Sequence, residues 1–224
     1  MLVKVCGART HHDIRLLRRA SVDMVGLWHG VPGGHADLTI AAAAALARAA
    51  RAAGGPEPVL VTLLDDPCAV ATAVRATGVR CVQLHGYLPP GAVRAVRASV
   101  GPGTTVVKTL HVRDAACVEQ GLIAAYERAG TDMFLIDRVG AGGRVGSTGV
   151  PVPDAVAADL AASLRQPFLL AGGVSAAGPG PFPATTAQPG LTGVDVDSAA
   201  RSADLHLDHE RVAGIRAAWS AGGS

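Results

Sequence analysis

Aromatic side chains are scarce in this chain: three Phe, two Tyr and two Trp make up 3% of its 224 residues. A core with so few rings has to be built from Val, Leu, Ile and Ala, the make-up of a parallel sheet covered on both faces by Ala-rich helices. Lysine is confined to positions 4 and 108, and 20 basic against 18 acidic residues leave a net charge of only +2. With no basic run or stripe, neither a nucleic-acid partner nor a membrane-surface partner is expected. Long apolar runs are missing as well. The best candidate, 40–50, is short, Ala-rich and interrupted by Arg48, well below the ~20 residues of a membrane span. The N-terminal segment lacks a signal-peptide layout, so a cytoplasmic location is the expectation. Cys6, Cys68, Cys81 and Cys117 are scattered with no CxxC pair, which speaks against a disulfide framework.

What is present is 49% hydrophobic residues, too many for a disordered chain. Short β-branched runs recur at 2–6, 23–28, 58–64, 80–84, 104–110, 131–137, 167–171 and 191–196. Segments of helical periodicity lie between and after them, at 12–19, 38–53, 69–77, 90–99, 115–129, 153–164 and 208–219. Eight such strand units are the number that closes a (β/α)8 TIM barrel, here a single domain over residues 1–224. A doubly wound sheet would normally place a Gly-rich fingerprint after the first strand, and none is found. The seventh connection, 175–190, holds Pro179, Pro181, Pro183 and Pro189 with Gly178 and Gly180. These residues forbid a regular helix, so the seventh helix is expected to be short or replaced by a Pro/Gly-rich loop.

In such a barrel, side chains at the C-terminal ends of the strands share one site. The candidates there are Cys6, His29, Asp65, Asp66, His85, His111, Asp137, Gly172, Gly173, Asp197 and Ser198. His29, His85, His111 and Asp65 or Asp66 could in principle supply metal ligands, but no HxH or HExxH spacing occurs among them, and no metal is expected.

Several blocks in order carry a resemblance: Val3-Lys4-Val5-Cys6-Gly7, Val82-Gln83-Leu84-His85-Gly86, Leu135-Ile136-Asp137 followed by Gly146-Ser147-Thr148-Gly149, Leu170-Ala171-Gly172-Gly173, and Gly193-Val194-Asp195-Val196. Together they span nearly the whole chain, and the chain resembles the phosphoribosylanthranilate isomerase family. The resemblance implies a cofactor-free Amadori rearrangement in tryptophan biosynthesis, turning an aminoaldose phosphate into an aminoketose phosphate. It assigns Cys6 as the general base and Asp137 as the general acid. Lys4, two residues before Cys6 on the same strand, is expected to lie at a different depth and so not to supply charge to the thiol.

By the same resemblance the substrate is held by His85 and by backbone amides near Gly146, Ser147, Gly149, Gly172, Gly173 and Ser198. His35 falls near the position of the family's carboxylate-binding Arg. Asp197 and Ala199 stand where the family has Ser and Gly. Arg138, Arg144 and Arg201 are possible substitute anion contacts in the same region. Cys68, Cys81 and Cys117 are read as structural. Two further readings stay open: a divergent enzyme that keeps the Cys/Asp pair but acts on another, possibly unphosphorylated, substrate, and a non-catalytic ligand-binding barrel. The partner is a small molecule, and the chain is expected to be a monomer or a homodimer.

Overall fold

A computed structural model describes residues 1–52, 54–140 and 151–220. Eight strands run parallel: β1 (Leu2–Cys6), β2 (Met24–Trp28), β3 (Glu57–Thr62), β4 (Cys81–Leu84), β5 (Thr105–Arg113), β6 (Met133–Arg138), β7 (Phe168–Leu170) and β8 (Leu191–Val196). Each pairs with the next in chain order, and β8 returns to β1 with Leu2 opposite Gly193 and Lys4 opposite Asp195. The sheet is thereby closed, as the strand count implied. No helix among the described residues is long and apolar enough to cross a membrane.

Alternation along each strand divides the side chains between two cores. On β1, Val3 and Val5 join the large outer cluster, which packs against residues such as Leu17, Leu46 and Val70 of the surrounding helices. Cys6 belongs instead to an inner cluster with Trp28, Val59, Val61, Cys81, Val107, Leu135 and Leu169. Both faces of the strands are therefore covered, which is why they read as nearly unbroken apolar runs. Gly26 lies opposite Cys6 in the β1–β2 register. A β-carbon there would collide with the Cys6 sulfur, so the bare backbone of β2 makes the space the thiol occupies.

The helices are α1 (His11–Arg19), α2 (Ile40–Ala52), α3 (Pro67–Thr77), α4 (Pro90–Val100), α5 (Ile123–Arg128), α6 (Asp154–Ala162), α7 (Pro183–Thr186) and α8 (His209–Ser220). Thr10 and Asp13 form a reciprocal capping box at the start of α1. Asp66 accepts the N–H groups of Cys68 and Ala69 at the start of α3, and Gly78 ends that helix in the left-handed region.

The fifth and seventh connections carry the shortest α-helices of the barrel among the described residues. The helix expected at 115–129 is shortened to Ile123–Arg128, because β5 continues into a hairpin through Asp114 with the two-residue strand Ala116–Cys117. Glu119 then turns inward to accept the His111 backbone N–H at 2.9 Å and to meet His111 Nδ1 at 2.6 Å, which diverts the chain before the helix can begin. The seventh helix is a single turn, Pro183–Thr186, as its prolines required. Pro183 sits in the first turn, where its missing N–H leaves no helical bond unmade. Asp154 of α6 accepts the backbone N–H groups of Ala184 and Thr185, each at 2.9 Å.

Candidate functional site

At the C-terminal end of the barrel a cavity of about 850 Å³ opens among the strand ends. Cys6, Asp137, His35, His85, Gly172, Gly173 and Ser198, all named from the sequence, line it. Gly146, Ser147 and Gly149 lie outside the described residues, as does Arg144.

Cys6 ends β1 with its sulfur 2.8 Å from Lys4 Nζ and 3.6 Å from Asp195 Oδ2, while Lys4 Nζ donates to that same oxygen at 2.7 Å. The sequence expectation that Lys4 cannot serve the thiol is thus corrected. One two-residue step along a strand is about 6.6 Å, and an extended lysine side chain on the same face covers that rise. Burial pushes the Cys6 thiol up to about 12; Asp195 adds to the shift and Lys4 works against it. Burial alone would lower the Lys4 ammonium, but Asp195 and Cys6 beside it hold it above its ordinary value.

Asp137 reaches the cavity from β6. Its Oδ1 accepts the Arg138 backbone N–H at 2.8 Å, and its Oδ2 lies 3.5 Å from His85 Nε2. Burial raises this carboxyl to about 7, against the pull of the Arg138 N–H and with help from the negative charge of Asp195. His85 does not rescue the charged form. Burial, with His111 nearby, drives its pKa well below the ordinary histidine value, so near neutral pH the imidazole carries no charge. The Gln83 amide N–H is directed at His85 Nδ1 at 2.9 Å, and Thr109 Oγ1 lies 3.2 Å from the same nitrogen. These contacts hold the ring with its Nε2 edge turned toward Asp137.

Seven buried side-chain polar atoms among the described residues lack a hydrogen-bond partner, and five belong to residues lining this cavity: Trp28 Nε1, His35 Nε2, Gln83 Oε1, His85 Nε2 and Asp195 Oδ1. Buried polar groups are otherwise almost always satisfied. Their concentration at one cavity gives its wall the few convergent polar groups by which small-molecule sites orient a ligand.

Beside the entrance, the His35 ring packs edge-on to Trp28 with centroids 4.9 Å apart, and His35 Nε2 lies 3.6 Å from Asp197 Oδ2. Arg201 is buried. It donates to Asp197 Oδ1 at 2.6 Å, to the carbonyls of Cys6 and Gly7 at 3.0 and 2.8 Å, and to Leu205 O at 3.0 Å. Four of its five N–H groups are thus committed within the protein, which corrects the view of Arg201 as a spare anion contact. It also balances Asp197, so that carboxylate does not face the cavity as an uncompensated charge. Arg138 is likewise engaged, donating to Pro151 O at 2.6 Å.

The histidines and carboxylates considered for a metal do not converge. His29 is directed at Leu38 O, Asp66 caps α3, and His111 pairs with Glu119 away from the cavity. Among the described residues no three His, Cys, Asp or Glu side chains form a metal-binding group. Cys81 and Cys117 are buried in the packing, whereas Cys68 is exposed at the start of α3. Gln83, Asp195 and Trp28 are members of this region to which sequence reasoning gave no role, and Lys4 is one that it set aside. The available signal was a polar side chain inside an otherwise apolar strand, where a buried partner is obligatory.

Comparison with known proteins agrees with the barrel fold. Residues 3–203 match the family model described as N-(5'phosphoribosyl)anthranilate (PRA) isomerase. A relative from Myxococcus xanthus, N-(5'-phosphoribosyl)anthranilate isomerase, is 34% identical over 221 residues, covering 97% of this chain and 96% of its own. Phosphoribosyl anthranilate isomerase from Thermus thermophilus has a TM-score of 0.78 at 24% identity, covering 99% of each chain. A phosphoribosyl anthranilate isomerase solved in complex with reduced 1-(o-carboxyphenylamino)-1-deoxyribulose 5-phosphate has a TM-score of 0.75 at 18% identity, covering 99% of this chain and 100% of that one.

Proposed function

Because the chain belongs to the N-(5'-phosphoribosyl)anthranilate isomerase family, we propose that it is an isomerase acting on phosphoribosylanthranilate, with Cys6 as general base and Asp137 as general acid of a single-domain (β/α)8 barrel. The observation that carries this reading is that a thiol from β1 and a carboxyl from β6 line one cavity at the catalytic end of the barrel.

The chemistry follows from the two groups. A carboxyl raised to about 7 still holds a proton in a useful fraction of molecules near neutral pH, as a general acid must. Asp137 gives that proton to the ribose ring oxygen as the ring C–O bond breaks, and the anilino nitrogen lone pair forms the iminium. Cys6 as thiolate takes the proton from the adjacent carbon, and the electrons of that C–H bond neutralise the iminium to an enolamine. Tautomerisation to the aminoketone places a proton on C1 and releases the enol proton, so no proton is gained or lost overall. His35 and Trp28, whose Nε2 and Nε1 atoms stand at the cavity wall without a hydrogen-bond partner, supply contacts for the anthranilate end.

The test is turnover of phosphoribosylanthranilate by the folded wild type beside Cys6→Ser and Asp137→Asn. Removing either group is expected to lower kcat by about 10²- to 10⁴-fold. A wild type without turnover, or variants with unimpaired kcat, would overturn the assignment.

A second reading, the same acid–base pair acting on an unphosphorylated relative of that substrate, is favoured by Asp197. Asp197 lines the cavity immediately before Ser198, and its pairing with Arg201, beside the three carbonyls that residue also serves, leaves the guanidinium a single uncommitted N–H for an anion. Thermal stability in increasing inorganic phosphate separates the two: a rise with concentration supports a phosphate site, and a flat response supports the second reading.

A further inference from the structure

Lys4 is a buried cation that the acid–base scheme leaves unused. It is 1% exposed and, unlike Cys6 and Asp195, is not part of the cavity lining. Its Nζ lies within 2.8 Å of Cys6 Sγ and 2.7 Å of Asp195 Oδ2, and the sulfur and that oxygen are themselves 3.6 Å apart. An ammonium has three N–H donors, so it serves both acids at once. We propose that Lys4 is a positioning residue that acts through Cys6: it holds the sulfur at the cavity floor and supplies the charge that lets it ionise, with Asp195 as the competing anion.

One positive charge thus stands between two acids, of which one is ionised at a time. With the thiol neutral, the negative charge rests on Asp195. The sulfur becomes a thiolate when its proton passes to Asp195, leaving Lys4 beside Cys6 as the new ion pair and the total charge of the cluster unchanged. Burial and Asp195 both oppose the thiolate while Lys4 favours it, and burial raises the Asp195 carboxyl toward proton acceptance while Lys4 opposes that.

The other charged and titratable neighbours of the cluster are Asp197 and Arg201 after β8, the latter donating to the Cys6 carbonyl and paired with Asp197, together with Asp137 of β6, Cys81 of β4 and His85 just beyond it. Asp197 disfavours the thiolate, and Lys4 acts at longer range on Asp137, Cys81 and His85. None of them competes at hydrogen-bond distance for Lys4.

The proposal gives opposite signs for two variants. In a Cys68→Ser background, which removes the exposed thiol, alkylation of Cys6 by iodoacetamide is followed by peptide mass spectrometry from pH 6 to 10. Lys4→Met is expected to move the alkylation profile to higher pH and slow the reaction at pH 8, by about tenfold for each unit of thiol pKa. Lys4→Arg should recover part of the rate. Asp195→Asn is expected to move the profile to lower pH and accelerate alkylation, because Lys4 then faces the sulfur alone. A folded Lys4→Met protein with an unchanged profile overturns the proposal. So does Asp195→Asn that fails to accelerate alkylation, and this arm decides the matter if Lys4→Met does not fold. The assay needs no substrate, although the catalytic meaning of Lys4 rests on the isomerase reading. Opposite shifts in a protein that fails to turn over phosphoribosylanthranilate would keep the Lys4 role and remove only that reading.

Discussion

An aspartate in water is ionised above about pH 4 and useless as a proton donor near neutrality. Asp137 escapes this through its surroundings. It is buried, the nearby imidazole of His85 carries no charge, and Asp195 adds negative potential, so the single N–H of Arg138 is outweighed. A carbon-detected NMR titration of the Asp137 carboxyl in the folded protein is expected to give a midpoint of about 7. An ordinary value near ~4 would show that water or a hidden cation solvates the group. Much of this residue-level picture was legible in the sequence. Cys6 and Asp137 stand at strand ends, where side chains must face the barrel mouth, and both line the cavity. Lys4 was set aside as too deep to serve the thiol, and Gln83 and Asp195 were given no role, because a sequence gives the face of a strand but not how far a long side chain travels along it. Their functional value lies in pairings across strands, Lys4 with Asp195 above all, and those exist only once the barrel closes.

The elements hold the site through a few ties between chain segments far apart in sequence. Arg201, from the turn after β8, clamps the carbonyls that end β1 and pairs with Asp197. Gly7 is suited to this contact, having a φ of +77° and no β-carbon to meet the guanidinium. Arg201→Met would remove the guanidinium that balances Asp197 and the donors it supplies to the Cys6 and Gly7 carbonyls. A loss of unfolding free energy of about 3–5 kcal/mol is expected in urea denaturation. A change within about 0.5 kcal/mol, the size of an ordinary surface substitution, would contradict the role given to this clamp. Helix lengths were less legible than helix positions. Nothing local announced that Glu119 would be drawn inward to His111, and α5 starts late for that tertiary reason. The prolines of 175–190, by contrast, act through the backbone itself, and the single-turn α7 was readable from them.

At the scale of the whole molecule, the site costs stability to maintain. A carboxyl whose folded value is raised from 3.8 to about 7 contributes favourably below pH 3.8, and that contribution is lost as pH rises through about 7. Asp137→Asn should therefore be more stable than wild type at pH 8, by at most about 4 kcal/mol, with the gap closing toward pH 4. Equal thermal stability of the two proteins at both pH values would contradict this linkage. The architecture was legible because strand count, apolar strands and Ala-rich helices all pointed to one closed layer arrangement. The substrate was less so, since the charges at the cavity entrance neutralise one another, as Asp197 and Arg201 do. The central claim is that a buried, protonated Asp137 works with Cys6 to isomerise phosphoribosylanthranilate. Its most direct test is the pH dependence of kcat/KM for that substrate in the wild type. Turnover that declines above a pKa of about 7 is expected, and a folded protein with no turnover, or with a rate indifferent to pH across that range, would contradict it.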